Sequence, residues 1–146
     1  MLTLGGVAFA TITDVSGNPQ WAFKDAANEQ VVSLQAAGGV STSDVWAPGN
    51  HTFATTSTTQ TNAITETLRF GAPSFGQTLT LVGVNTITSG GILASGTGDT
   101  VTSRINGGTL TSGSGELVIH DGELGIGSVI AAVSYTHLTL PTKRIV

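Results

Sequence analysis

The stretch from Thr78 to Val129 constrains this chain most. Its apolar residues come singly or in alternating pairs, Leu79, Leu81, Ile87, Ile92, Leu93, Val101, Ile105, Leu110, Leu117, Ile119, Leu124, Ile126 and Val129, separated by Gly, Ser, Thr, Asn and Asp. An amphipathic helix needs apolar residues three and four apart over several turns, and none are spaced so here. Short period-two pairs between turn residues are the pattern of short strands. Two segments echo each other, Thr86-Ile87-Thr88-Ser89-Gly90-Gly91-Ile92-Leu93 and Gly108-Thr109-Leu110-Thr111-Ser112-Gly113-Ser114-Gly115. Their shared Thr-apolar-Thr-Ser-Gly core predicts a repeating coil.

A chain that makes a strand, turns and repeats can wind into a parallel β-helix, each coil bonded to the next at about 4.8 Å. Inward Leu, Ile and Val then form a narrow core, each worth roughly 1.5 to 3 kcal/mol when fully buried. The expected fold is all-β, a right-handed parallel β-helix (solenoid) fragment with an irregular N-terminal segment. At about 20 to 29 residues per coil, Thr78 to Val129 supplies roughly two coils. A quasi-one-dimensional stack needs neighbours at its ends, so the expected setting is a longer protein.

Composition agrees with this reading. Of 146 residues, 10% are charged and 5% aromatic, there are 20 glycines, and Thr outnumbers all charged residues together. Such a balance suits a β-rich surface of hydroxyls and tight turns, and a mean hydropathy of +0.25 argues against a disordered polar chain. The formal charge of -4 and the lack of clustered Lys and Arg exclude a phosphate-backbone binder. Cysteine is absent, which removes disulfides and Cys-ligated metals. No apolar run reaches the length of a membrane span, and Met1 to Gly6 lacks the charged and apolar regions of a signal peptide. Either export does not occur, or the true start lies upstream.

Along the chain, Val7 to Ile12 reads as a strand and Ser16-Gly17-Asn18-Pro19 as a turn. Trp21 to Leu34 is open between helical spacing (Phe23, Ala27, Val31, Leu34) and an irregular segment ending in the strand Val31-Val32-Ser33-Leu34; the latter is favoured. Ala47-Pro48-Gly49-Asn50 forms a turn, and His51 to Thr55 a strand. In Ile64 to Phe70, alternation places Ile64, Leu68 and Phe70 inward and Arg69 outward. The expected divisions are 1–50 as an irregular or short-strand N-terminal segment, 51–131 as β-helix coils, and 132–146 as a non-native tail.

With these residues in place, a resemblance emerges. Asn50 to Phe53, Ile64 to Gly71, Leu79-Thr80-Leu81, Asn85 to Leu93, Gly107 to Gly113 and Gly115 to His120 together resemble bacterial autotransporter-associated β-strand repeat proteins. The likeness covers roughly Trp21 to Ala131 and is strongest after Leu79. It implies a large, exported, β-helical surface protein similar to an autotransporter passenger. The implied location is extracellular or at the cell surface, associated with the outer membrane. The implied partners are neighbouring coils of the same longer chain, with glycans or cell surfaces as outside contacts; neither nucleic acid binding nor membrane insertion is expected of this segment. The tail Val133-Ser134-Tyr135-Thr136-His137-Leu138-Thr139-Leu140-Pro141-Thr142 resembles, residue for residue, one reading frame of a transposase-based sequencing-library adapter. Residues 133–146 are therefore set aside from functional reasoning.

Few residues offer chemistry. His120 has Glu116, Asp121 and Glu123 nearby, and alternation turns Leu117 and Ile119 inward with Val118 and His120 outward. An outward His among carboxylates can bind a metal or shuttle a proton. No second His follows at ligand spacing and His51 is distant in sequence, so surface decoration is the favoured reading. Gly96-Thr97-Gly98-Asp99-Thr100-Val101 is similar to the calcium-binding nonapeptide of RTX β-rolls, but it is one residue short and occurs once, as an ordinary turn would. Asp99, Arg104, Glu116 and Asp121 are the acids and base that a β-helical polysaccharide lyase or hydrolase would draw on, yet they are widely spaced. Asn50-His51-Thr52 fits a glycosylation sequon. The expectation is a non-catalytic segment with no catalytic, cofactor or metal residues; a β-helical carbohydrate-active enzyme is the alternative, and a trimeric fibre shaft a third reading.

Overall fold

In a computed structural model the described residues are 3–4, 7–8, 10–13, 19–25, 27, 30–34, 41–70, 76–94, 103–120, 124–131 and 138–139. All regular structure among them is β. Strands β1 (Thr3–Leu4) and β2 (Val7–Ala8) pair antiparallel, and β3 (Thr11–Thr13), β4 (Pro19–Lys24) and β5 (Val31–Ser33) form a three-stranded antiparallel meander. The region from Trp21 to Leu34 is thus strand, turn and strand, and the helical spacing of its apolar residues is coincidental.

The remaining strands form one ten-stranded sheet in which every pairing is parallel. They are β6 (Ser41–Ser43), β7 (His51–Ala54), β8 (Thr58–Thr61), β9 (Ile64–Phe70), β10 (Thr78–Val82), β11 (Val84–Ala94), β12 (Ser103–Ser112), β13 (Val118–His120), β14 (Leu124–Ile130) and β15 (Leu138–Thr139). Pairing sorts them into three stacks. The first holds β8, β10 and the starts of β12 and β14. The second holds the starts of β9 and β11 and the ends of β12 and β14. The third runs β6, β7, end of β9, end of β11, β13, β15. The parallel strands curl through about 242° around an axis, a β-solenoid-like geometry. In the first stack Thr58, Leu79, Ile105 and Ile126 lie in one column, 21, 26 and 21 residues apart, within the expected range for a coil.

The core lies inside this curl. One column is Leu79, Ile105 and Ile126, another is Leu68, Ile92 and Ile119, and a third is Asn85, Leu110 and Ile130. Leu68, Ile87, Ile92, Ile105 and Leu110 have no exposed surface. Leu110, Leu117 and Ile119 are buried in this cluster, on the inward side that alternation predicts. Two orientations differ from alternation. Ile64 faces out at 41% exposure while Thr65 and Thr67 are both buried, because the chain bends at Glu66 between two stacks and the period restarts there. Val118 is buried although it alternates with inward Leu117 and Ile119.

The echoing segments also lie in a different register from the one their sequences suggest. Aligning Thr86-Ile87-Thr88 with Thr109-Leu110-Thr111 would set Ile87 over Leu110, whereas the structure pairs Asn85 with Leu110 and Ile87 with Ser112. The slip is two residues. An even slip leaves every side chain on its own side of the sheet, which is why the inward set survives it.

Polar residues inside the curl are bonded. Asn85 takes the Ala63 N–H on its Oδ1 at 3.0 Å and gives its amide to the Val82 carbonyl at 3.1 Å. The Thr65 hydroxyl lies 2.7 Å from that of Thr52 and 2.8 Å from the Asn50 carbonyl oxygen. Ser89 Oγ donates to Glu66 O at 2.6 Å. At the β6 end the opening is closed by the loop before β7. Trp46 packs against the core there, Thr52 Oγ1 and Gln60 Nε2 donate to the Val45 and Asp44 carbonyls at 2.9 and 3.2 Å, and Glu66 N donates to Asn50 O at 2.7 Å.

Two corners depend on glycine. Gly83 (φ +68) turns the chain from the first stack to the second, and a Cβ there would lie 2.1 Å from Asn62 Oδ1, the acceptor for Val84 N. Gly90 (φ +70) makes the next corner, where a Cβ would lie 1.8 Å from the backbone oxygen of Glu116. A side chain can swing aside, but the backbone of the adjoining coil cannot without moving its ladder. Gly90→Ala is expected to lose about 3 kcal/mol or more in denaturant unfolding, from left-handed strain plus overpacking, and to lose more than Gly83→Ala. Equal losses at the two positions would show that contact with the adjoining coil is unimportant.

Candidate functional site

The side chains with most chemical potential fall on the outer side of the third stack. Two outward columns run along it, His51, Thr67, Gly91, Val118 and Phe53, Arg69, Leu93, His120. His51 and His120, far apart in sequence, therefore share one face. Three strand spacings, about 14 Å, still separate their rows, well beyond the reach of a shared metal ion, whose ligand nitrogens sit at about 2 Å.

The antiparallel meander covers this face. Trp21, Phe23 and Leu34, all buried, form a second apolar cluster with Leu93 of β11. Trp21 meets the His120 ring edge-on at 5.7 Å between centroids, and Phe23 meets His51 the same way at 5.2 Å. His51 Nδ1 lies 3.0 Å from Thr67 Oγ1, and the Arg69 guanidinium sits 4.0 Å above the Phe53 ring. The sequence reading of His120 as outward decoration is corrected in part, since the ring is half-buried against Trp21. Period-two alternation assigns a side but cannot see a second layer. The signal for that layer was the cluster Trp21, Ala22, Phe23, whose consecutive bulk no half-exposed strand needs; all three are buried. The Trp21 indole Nε1 is buried and has no hydrogen-bond partner.

The other sequence candidates do not converge. Arg104 is exposed on β12, and its backbone N–H donates to Gln77 O at 2.8 Å, so it stands in a strand where a turn was read. Glu116 is half-buried beside Leu117, at the corner that Gly90 abuts. Asp99 with the whole Gly96 to Val101 segment, Asp121 and Glu123 lie outside the described residues. Among the described residues no three His, Asp or Glu side chains are grouped to hold a metal ion. In the sequon, Thr52 is buried with its hydroxyl committed to Val45 O, and Asn50 Nδ2 donates to that carbonyl as well, at 3.3 Å.

One acid outside the sequence reading is firmly held. Asp44, in the left-handed region at φ 57, accepts the backbone N–H groups of Thr55 and Thr56 at 2.8 and 3.2 Å and both their hydroxyls. Burial raises its pKa, but these four bonds outweigh burial and hold the carboxyl below its ordinary value. This is a stitch for the closed end, and it requires the ionised acid. Asp44→Asn keeps the backbone conformation but puts a donor where an acceptor is needed. It is expected to lower the chemical-denaturation stability by about 1 to 2 kcal/mol; an unchanged midpoint would show the stitch to be idle.

Burial, with the positive amino terminus as a lesser cause, lowers the His51 pKa below its ordinary 6.5. The folded state thus favours the neutral ring and the unfolded chain takes the proton more readily. Its contribution to stability is complete above about pH 6.5 and is lost as pH falls from there through the folded pKa. His51→Gln is expected to flatten the decline in stability between about pH 6.5 and about pH 5, measured by denaturant titration. A slope identical to the parent chain's would refute the assignment.

No membrane-length apolar helix occurs among the described residues. No protein-family description, curated protein or solved structure matches the chain.

Proposed function

We propose that this chain is a non-catalytic structural segment of a large bacterial surface-exposed or secreted protein, similar to an autotransporter passenger or adhesin. The observation that carries this reading is the curled parallel stack itself, with its continuous inner columns of Leu and Ile. Each coil supplies the surface on which the next is laid, so length is added without a new core. The side chains that could have served chemistry are used in packing: His51 and His120 lie against Phe23 and Trp21, and Asp44 is consumed by Thr55 and Thr56. The outward Thr59, Thr61, Thr80 and Asn106 of the first stack are exposed. They present an uncharged hydroxyl and amide surface suited to glycans or other cell-surface material. The reading draws on 51–131 and treats the adapter-like tail as foreign to the native protein.

The test is twofold. The purified chain is incubated with uronic-acid polymers and with intact bacterial and host cells. No release of reducing ends is expected, together with saturable retention on cells that Thr80→Lys and Asn106→Lys reduce severalfold. Polymer cleavage that disappears in Asp99→Ala or Asp121→Ala would replace the scaffold with a carbohydrate-active enzyme.

A further inference from the structure

The two ends of the stack are chemically unlike. At the β6 end Trp46 plugs the core, and the inward residues of β8 are Thr58 and Gln60, the latter bound to Asp44 O. At the opposite end of the first and second stacks lies β14, which among the described residues pairs only with β12 and so presents one free edge. Natural edges are blunted with charge, proline or bulges. Leu124-Gly125-Ile126-Gly127-Ser128-Val129-Ile130 carries neither charge nor proline. Its inward Leu124, Ile126 and Ile130 cover the core from one side only and remain partly exposed. The Ser128 hydroxyl, at the corner of the same strand, is buried without a hydrogen-bond partner.

From this geometry we infer that β14 is a self-association edge, and that two copies of the chain join end to end across a two-fold axis through the corner at Gly127. The closed β6 end offers no complementary apolar row, so head-to-tail stacking is disfavoured and the free edge is matched by its own copy. A two-fold lying in the plane of the last coil exchanges the two arms of the bent strand and reverses the direction of the stack. The two β14 strands then run antiparallel. Pairing about Gly127 sets Leu124 against Ile130 of the second copy and Ile126 against Ser128, so each open apolar row is closed by the other and both ladders gain main-chain hydrogen bonds. The contact is isologous and closes at two. It is independent of the scaffold reading, because it rests on the chemistry of the two ends alone.

Sedimentation of the full chain across a concentration series tests this, with hydrogen exchange of the 124–130 amides as a second readout. The expected result is a dimer of the 14.7 kDa chain, with those amides gaining protection as it forms. Gly127 is exposed, and a side chain there meets only the end of Asn106. Gly127→Lys therefore places two like charges on the axis and should weaken dimerisation at least about tenfold. Gly127→Glu should do the same, and mixing the two variants should restore a heterodimer. Val129→Lys, at an exposed position of the same edge, serves if the Gly127 variants fail to fold. A parent chain monomeric at all concentrations, one that grows into open-ended filaments, or a dimer indifferent to charge on this edge would each overturn the inference.

Discussion

Everything in this molecule depends on one residue of each coil lying directly over its counterpart in the last. Leu68 on Ile92 on Ile119, and Leu79 on Ile105 on Ile126, are held in line by the parallel ladders. The hydrogen bonds set the spacing and the inner side chains fill it. Corner residues such as Asn62 at φ 47 and Gly83 let each coil turn without leaving its plane. Loss of alignment in one row would expose polar backbone and open a gap in the rows on either side, so the columns act as a unit.

The inner rows change character along the axis. Toward the closed end they carry Thr52, Thr65 and Thr58, with hydroxyls answered by loop carbonyls. Further along they carry Leu, Ile and Phe. A polar interior is tolerable only where a loop returns across the opening to accept its protons, as the segment holding Val45, Trp46 and Asn50 does. The stack begins where its interior can be satisfied locally, and is apolar where only another coil can satisfy it.

Much of this was legible before any coordinates. Brief apolar pairs separated by turn residues gave the strands, and period two gave the buried side of β10, β12 and the segment ending in Ile119. Registry was less legible. The repeat of Thr-apolar-Thr-Ser-Gly suggests one alignment, and the chain adopts another, two residues away, since both satisfy the inside-outside rule and only corner geometry separates them. The orientation of Ile64 failed for a related reason: a bend at Glu66 resets the period, and a local pattern carries no mark of a bend. His120 was placed on the correct side, but what lies over it comes from Trp21, a hundred residues earlier, and alternation contains no information about such long-range cover. Asp44 escaped notice because its partners, Thr55 and Thr56, look like low-complexity threonines until the loop brings them round.

The meander that lies over the third stack also has a directional consequence. With Trp21, Phe23 and Leu34 shielding Leu93 and both histidines, one flank is withdrawn from contact with anything outside the molecule. What stays open is the pair of surfaces bearing Thr59, Thr61, Thr80, Val82 and Val84. The shaft has a back and a front, and whatever meets it side-on must approach from the front.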